Sequence, residues 1–509
     1  MDNLVVEELP GRFFVPGKYK WEKCHSLNPQ KRNTNNDAFK NHFEFFGVEF
    51  RVPSPRPTQV KLLNFTPDIY YFSNFFYKIM LTTIIIIFVV GYLAIALEEP
   101  LRLNKTASAL ITGVLCWTAY VMYSSDTEFV VEELSHHLGS ISEILFFLLG
   151  AMTIVELIDA HEGFAIITER IKTRNPVSLL WIICILTFFL SALLDNLTTS
   201  IVMVSLLRKI MPEGEQRKLM AGMIIIAANS GGAWSPIGDV STTMLWIGGQ
   251  VTTTAIITRL IVPSMVSLAV PLLYMTFAMK SSLQAVPIAT GAAAAPSFDS
   301  ENGVSRGQGR LMLFAGVMGL LFVPAFKTVT HLPPYMGMLL SLGVLWVISE
   351  IIHKDKDEED RLPYTPAYAL SKIDVPSILF FLGILAAVGV LESTYVLSDL
   401  AGKLDSAIGN QDIIVIVIGI VSAIVDNVPI VAAAMGMYDL EMYPTDHRLW
   451  EFMAYCAGTG GSMLVIGSAA GVAVMGIEKL DFIWYLKRIA LLALLGYAAG
   501  AITYLVMFQ

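Results

Sequence analysis

Charged residues are scarce in this sequence. They make up 15% of its 509 residues, whereas about a quarter is usual in a soluble domain, and hydrophobic residues make up 55%. A chain of this composition has too little polar surface to surround a soluble core of its size. We therefore expect a polytopic membrane protein with the lipid bilayer as its main partner.

Cysteine and basic clusters are scarce as well. The four cysteines are scattered, three lie in apolar runs, and none forms a C-x-x-C pair, so we expect neither a disulfide framework nor a zinc site. The net charge is −9, and no strongly basic patch is present, so we expect no nucleic-acid partner.

The N-terminal stretch 1–78 differs from the rest because it is polar and carries both signs of charge. It contains no signal-peptide core and too many acidic residues for a typical transit peptide. The composition predicts four parts: a polar N-terminal extension 1–78, a membrane repeat 79–279, a cytoplasmic linker 280–309, and a second membrane repeat 310–509.

Twelve apolar spans follow the extension, and most have the roughly 20 residues that a membrane-spanning helix needs. They lie at about 79–97, 106–123, 141–159, 176–207, 218–248, 254–279, 311–326, 333–352, 376–395, 410–436, 449–476 and 482–508.

Three phrases in the first six spans recur in the second six. Ser-Ala-Leu-Leu-Asp195-Asn196 returns as Ser-Ala-Ile-Val-Asp426-Asn427. The run 144–147 returns at 378–381, and the Gly-Gly phrase at 228–232 returns at 457–461. Three matches in order at nearly one period indicate an internal duplication.

Two spans in each half are interrupted by Asp-Asn phrases or by glycine and proline, which break helices. Irregular backbone at membrane depth is tolerated where it is buried in protein or lines a cavity. We therefore predict an all-α polytopic fold of two repeats, each with about five transmembrane helices, one re-entrant hairpin and a discontinuous helix at the midplane. Because five crossings is an odd number, the two repeats would be inverted.

Ionisable groups at membrane depth indicate a functional site. The polar residues at the interrupted spans offer carboxylate, amide and hydroxyl oxygens, which are hard ligands that suit Na⁺ or Li⁺. We expect the ion site to be centred on Asp195 and Asp426. These polar residues include no arginine or lysine that could hold an anion. The predicted cation and proton site consists of Asp195, Asn196, Thr198, Thr199, Asn229, Asp239, Ser241, Thr242, Ser422, Asp426, Asn427, Thr459 and Ser462.

A proton and a metal ion would compete for the same aspartate oxygens, and this competition is sufficient for exchange. Candidate pH-sensing residues are His136 and Glu143, two helical turns apart, and Glu156 within its span. A solvated interfacial pair and a paired structural carboxyl are the alternatives for these positions.

The phrases GYLAIALEEPLRLNKTASALITGVLCW (91–117), SALLDNLTTSIVMVSLLRK (191–209), ANSGGAWSPIGDVSTTMLWI (228–247) and SAIVDNVPI (422–430) resemble the NhaD-type sodium/proton antiporters of the ion transporter superfamily. The resemblance covers roughly 80–509. It implies Na⁺(Li⁺)/H⁺ exchange for sodium and pH homeostasis and salt tolerance, without a cofactor. It also implies a homodimer with elevator-like motion, located in a bacterial inner membrane or an organelle membrane of bacterial origin.

Two other functions compete with exchange. Sodium-coupled dicarboxylate carriers of the same superfamily carry Ser-Asn-Thr, as the resemblance has it, where this chain has Asp195-Asn196-Leu197, and a carboxylate there would repel an anion. An intramembrane aspartyl protease would need Gly-x-Gly-Asp, but Gly238-Asp239 follows Pro236-Ile237. We therefore expect a transporter and not an enzyme.

Overall fold

The structure is a computed structural model that describes residues 44–45, 48–49, 67–124, 126–168, 173, 175–281 and 304–508. Most of the predicted N-terminal extension and the centre of the predicted linker lie outside the described residues. Two short strands, β1 (Glu44–Phe45) and β2 (Val48–Glu49), pair antiparallel and belong to the unit Met1–Phe65. All of the helices belong to the unit Thr66–Gln509.

The first half of the chain forms ten helices within the described residues. These are α1 (Pro67–Ala96), α2 (Glu98–Leu101), α3 (Lys105–Tyr123), α4 (Thr127–Ala160), α5 (Ala165–Thr168), α6 (Pro176–Leu194), α7 (Asn196–Ile210), α8 (Glu215–Gly232), α9 (Val240–Ile247) and α10 (Thr253–Ser281).

The second half, in its described part, forms twelve α-helices and a 3-10 turn at Leu362–Tyr364. The helices are α11 (Arg306–Thr330), α12 (Pro334–Ile352), α13 (Glu358–Arg361), α14 (Pro366–Lys372), α15 (Val375–Ser393), α16 (Val396–Ile408), α17 (Gln411–Val421), α18 (Asn427–Met437), α19 (Arg448–Gly460), α20 (Ala469–Glu478), α21 (Phe482–Arg488) and α22 (Ala490–Met507).

Nine helices of the described part are long and apolar enough to cross a membrane, or ten if α16 and α17, bent by 116°, form one span. The expectation of an all-α membrane protein is confirmed for the described residues from 67 to 508, where every element is helical. The first helix begins at Pro67, but its apolar section is Tyr77–Ala96, close to the predicted 79–97.

Polar residues fix where several of these helices begin. The Asn175 side chain accepts from the backbone N–H of Val177 before α6, and Asp374 accepts from Ser377 before α15. Such N-caps satisfy backbone donors that the first helical turn leaves unpaired. A capping box at Ser305 starts α11 in the same way.

Glycines let the helices beside the breaks approach each other backbone to backbone. A Cβ on Gly231 of α8 would overlap the carbonyl oxygen of Phe188 in α6. A Cβ on Gly460 of α19 would overlap the carbonyl oxygen of Gly419 in α17. Neither approach leaves room for a side chain, so glycine is required at these membrane-helix contacts.

A buried histidine pair joins the ends of α4 and α12. His161 Nδ1 bonds the carbonyl oxygen of Leu157 at 2.7 Å, so its Nε2 is free to accept from His353 Nε2 at 3.0 Å. His353 stacks on Tyr364 with ring centroids 4.3 Å apart. Burial, with Lys356 and His161 nearby, lowers the pKa of His353 to about 4, so both imidazoles are neutral near pH 7.

Candidate functional site

Asp195 connects α6 to α7 with a positive φ of 82°, a conformation that side-chain-bearing residues rarely adopt. Its carboxylate caps α7: Oδ1 accepts from the Thr198 backbone N–H at 2.8 Å, and Oδ2 accepts from the Thr198 hydroxyl at 2.8 Å. The predicted neighbours Asp195 and Thr198 are thus in direct contact at the break between the two helices.

Asp426 has the equivalent position in the second half, directly before α18. Its Oδ1 accepts from the Val428 backbone N–H at 3.2 Å, as Asp195 does for α7. Pro429 stands where the first half has Thr198, so no hydroxyl reaches Oδ2 from that position. Instead, the Nζ of Lys105 lies 4.0 Å from Oδ2.

Asp239, directly before α9, is the centre of the polar cluster, and its side chain is buried. Its Oδ1 accepts from Asn196 Nδ2 at 3.2 Å, and its Oδ2 accepts from Asn427 Nδ2 at 2.8 Å and from the Ser241 hydroxyl at 2.7 Å. The two repeated Asp-Asn phrases therefore send their asparagines to one carboxylate. This contact joins the N-termini of α7, α9 and α18.

Asn229, at the end of α8, extends the cluster into the second half. Its Oδ1 accepts from Asn196 Nδ2 at 3.0 Å, and its Nδ2 donates to the hydroxyls of Ser462 and Ser468, both at 3.0 Å. A hydrogen-bonded network therefore runs from the α7 terminus through Asn229 to the break between α19 and α20.

Four other predicted residues lie in the same region with different partners. The buried hydroxyls of Thr199 and Thr242 form no hydrogen bond to another protein group. Ser422 and Thr459 instead donate to the backbone carbonyl oxygens of Gly419 and Tyr455, at 2.8 and 2.6 Å. Ser422 also donates to the Ala457 carbonyl oxygen in α19 at 3.2 Å, whereas the Thr459 bond stays within its own helix.

The candidate pH-sensing residues lie apart from this cluster, along α4. His136 is exposed and its ring contacts His137 with centroids 6.0 Å apart, while Glu143 and Glu156 are partly buried. The neighbouring His137 is better connected than His136, because its Nε2 bonds the Ser393 hydroxyl at 2.9 Å. A role for His136, Glu143 or Glu156 in pH sensing stays a prediction.

Sequence reasoning missed two residues of the cluster. Ser468 stands in the second half at the position equivalent to Asp239, so the repeat itself could have pointed to it. Lys105 was missed as well: the predicted set contains no arginine or lysine, and the structure places the Lys105 Nζ 4.0 Å from Asp426 Oδ2. No local pattern around Lys105 signals its contact, because its partner Asp426 belongs to the other half of the chain.

The arrangement offers hard oxygen ligands to a small cation and little else. Asp195 and Asp426 are each close enough to Asp239 for their charges to interact. Among the described residues no three histidine, cysteine or acidic side chains form a metal cluster.

Helices broken at a buried polar cluster define this chain as a multi-pass membrane protein of the transporter type. Residues 92–451 match the family described as citrate transporter (CitMHS). Sodium/proton antiporter 1 of Arabidopsis thaliana is 50% identical over 420 residues, which cover 82% of this chain and 71% of that protein. Sodium/proton antiporter 2 of the same plant is 47% identical, over 82% of this chain and 98% of that protein.

A bacterial relative shows the same likeness at lower identity. The Na⁺/H⁺ antiporter NhaD of Vibrio cholerae is 30% identical over 452 residues, which cover 83% of this chain and 91% of that protein. The chain belongs to the family of NhaD-type sodium/proton antiporters.

Proposed function

We propose that the chain is a secondary transporter that exchanges Na⁺ and Li⁺ for H⁺, and that it serves sodium and pH homeostasis. The observation that carries this proposal is the buried Asp239 carboxylate, which accepts hydrogen bonds from Asn196 and Asn427 of the two repeated phrases. The names of the plant and bacterial relatives support the same activity. The chemistry requires only binding and release, without covalent steps or a cofactor.

Competition at the aspartates is the mechanism we propose. A carboxylate that binds Na⁺ must first release its proton, and a proton that binds must displace Na⁺. The unpartnered hydroxyls of Thr199 and Thr242 support a cation site here, because a buried hydroxyl without a partner is costly unless a ligand satisfies it. Asp195, Asp239 and Asp426 supply the charge.

Anion transport is the second candidate, because the matched family is described as citrate transporter. Its substrate would be a carboxylate, which needs cationic partners. The cluster has three aspartates and one lysine, and that lysine already lies beside Asp426. This balance of charge supports a cation as the substrate.

We further propose that the two halves are inverted repeats, each with a re-entrant hairpin ending at its Asp-Asn phrase. Equivalent contacts support this architecture. The Ser191 hydroxyl donates to the Ala228 carbonyl at 2.6 Å, and Ser422 donates to Ala457 at 3.2 Å. The repeat that relates Asp195 to Asp426 also relates the donors and the acceptors of these two bonds.

A homodimer is also part of the proposal, on the basis of the family resemblance. We propose a bacterial inner membrane or an organelle membrane of bacterial origin as its location. The higher identity to the two plant relatives favours the organelle. Cross-linking in native membranes tests the dimer, and fractionation of cells that express a tagged chain tests the location.

The exchange is tested with everted membrane vesicles in which acridine-orange dequenching reports proton release. We expect Na⁺ and Li⁺ to dequench the dye, and K⁺, dicarboxylates and citrate to have no effect. An Asp195→Asn chain, present in the membrane at the wild-type level, is the control and should give no signal. If citrate dequenched the dye and Na⁺ and Li⁺ did not, the result would contradict Na⁺/H⁺ exchange and indicate anion transport.

A further inference from the structure

Lys105 is the cationic side chain that the structure brings to the candidate cation site. It is the first residue of α3, where the helix dipole is unfavourable for a positive charge. Its Nζ lies 4.0 Å from Asp426 Oδ2 and 4.8 Å from the ring centroid of Phe380 in α15. The Lys105 and Asp426 side chains are only 23% and 14% exposed, so the pair is largely shielded from solvent.

The lysine makes the two halves of the site different. In the second half α12 begins with Pro334, where α3 begins with Lys105. Pro429 stands at the position equivalent to Thr198. Asp195 therefore has the Thr198 hydroxyl on its Oδ2, where Asp426 has an ammonium group. Among the described ion pairs, an aspartate of the cluster is joined to a basic residue only through Lys105.

We propose that Lys105 is an internal competitor of the transported cation. Its ammonium neutralises Asp426 while the site is empty, and Na⁺ displaces it on binding. This inference rests on the proposed exchange of Na⁺ for H⁺ and adds a residue that sets the affinity of that exchange. Lys105 acts through Asp426, so it is a positioning residue in the same reaction.

The physical reason is that the single negative charge of Asp426 cannot neutralise an ammonium group and a Na⁺ ion at the same time. The attraction between unit charges about 4 Å apart is several times stronger in a shielded site than in water, so breaking the pair lowers the net affinity for Na⁺. The ammonium group also keeps Asp426 from being an unpaired, shielded charge while no Na⁺ is bound. Other ionisable groups that face the pair are Tyr92 of α1, Glu98 of α2 and Asp239.

The first test is the apparent Na⁺ constant of proton exchange in vesicles at one alkaline pH. We expect Lys105→Gln to lower the constant about tenfold, because Na⁺ no longer has to displace the ammonium, and Lys105→Arg to stay within about threefold of wild type. Arg102→Gln is the matched control, since it removes an exposed cation close by in the chain. A Lys105→Gln chain with an unchanged constant and a reduced maximum rate would show a merely structural role.

A second test separates charge from folding within one variant. Lys105→Cys protein is purified and treated either with aminoethyl methanethiosulfonate, which restores an ammonium, or with the neutral methyl reagent. Wild-type protein with its own cysteines receives both reagents as a control. We expect only the aminoethyl reagent to raise the Na⁺ constant of the variant toward the wild-type value, and equal effects of the two reagents would overturn the proposal.

Failure of the proposed function is distinguishable from failure of this inference. If neither the wild type nor Arg102→Gln moves protons in response to Na⁺, the exchange itself is wrong. If both move protons in response to Na⁺ and the Lys105 variants keep the wild-type Na⁺ constant, the proposed exchange is supported. The proposal that Lys105 competes with Na⁺ is then refuted.

Discussion

Replacing Asp239 by asparagine tests the centre of the polar cluster. The wild-type carboxylate accepts from Asn196 through one oxygen and from Asn427 and Ser241 through the other. An amide in its place keeps one oxygen and turns an NH₂ group toward a donor. We therefore expect one lost bond to a charged group and a donor left facing a donor, a cost of about 2–3 kcal/mol in unfolding free energy.

The effect on exchange should be larger than the effect on stability. A unit negative charge about 4–6 Å from a bound cation contributes roughly 3–4 kcal/mol at an effective dielectric constant near 20. Its loss should weaken Na⁺ binding on the order of 100-fold or more. Exchange should therefore be undetectable at Na⁺ concentrations that saturate the wild type.

The assay is dye dequenching in everted vesicles, combined with the thermal unfolding midpoint of the purified protein in detergent. Asp412→Asn is the matched control, because this aspartate pairs with Arg448 at 2.6 Å outside the cluster, and its exchange should remain near wild type. If Asp239→Asn exchanged Na⁺ with the wild-type constant and rate, the cluster would not be the transport site.

Three further predictions concern the shared site, the helix contacts and the histidine pair. Asp426→Asn should abolish exchange as Asp195→Asn does, without loss of protein from the membrane, whereas a half-active variant with wild-type cation affinity would indicate two independent sites. Gly460→Ala should reduce the amount of folded protein, because its Cβ would overlap a backbone carbonyl oxygen, and Gly402→Ala, with open space at its Cβ, should not. The low pKa of His353 means that below about pH 6.5 the unfolded chain binds a proton that the folded chain does not bind. The free energy of unfolding should therefore fall as the pH is lowered from 6.5 to 4. In denaturation of His353→Gln, the free energy of unfolding should depend less steeply on pH over that range than in the wild type. An equally steep dependence would mean that other groups cause the effect.

The sequence was sufficient to predict the membrane class, because long apolar runs have few alternatives in a chain with so little charge. The interruptions were also readable: Asp195 and the Gly-Gly phrase at 228–232 fall at helix ends in the structure. The reason is local in both cases. At Asp195 a short polar side chain caps the helix that follows it. At 228–232 adjacent glycines disfavour continuation of the helix that they end.

The centre of the cluster could not be predicted in the same way. Both repeated phrases pointed to Asp195 and Asp426 as the principal ligands, yet their asparagines meet at Asp239, which has no acidic counterpart because Ser468 occupies the equivalent position. Lys105 was missed because its partner comes from the other half of the chain. Contacts between distant segments depend on how the repeats pack, and no local pattern records that packing.

The measurement that tests the central claim most directly is the apparent Na⁺ constant of the wild type across pH 7 to 10. If one proton and one Na⁺ compete for the aspartates, lowering the pH should raise the constant by up to about tenfold per unit, and the constant should level off at high pH once the carboxylate is ionised without help. A constant that stays fixed while the maximum rate changes with pH would contradict direct competition, and would assign the pH response to a separate sensor.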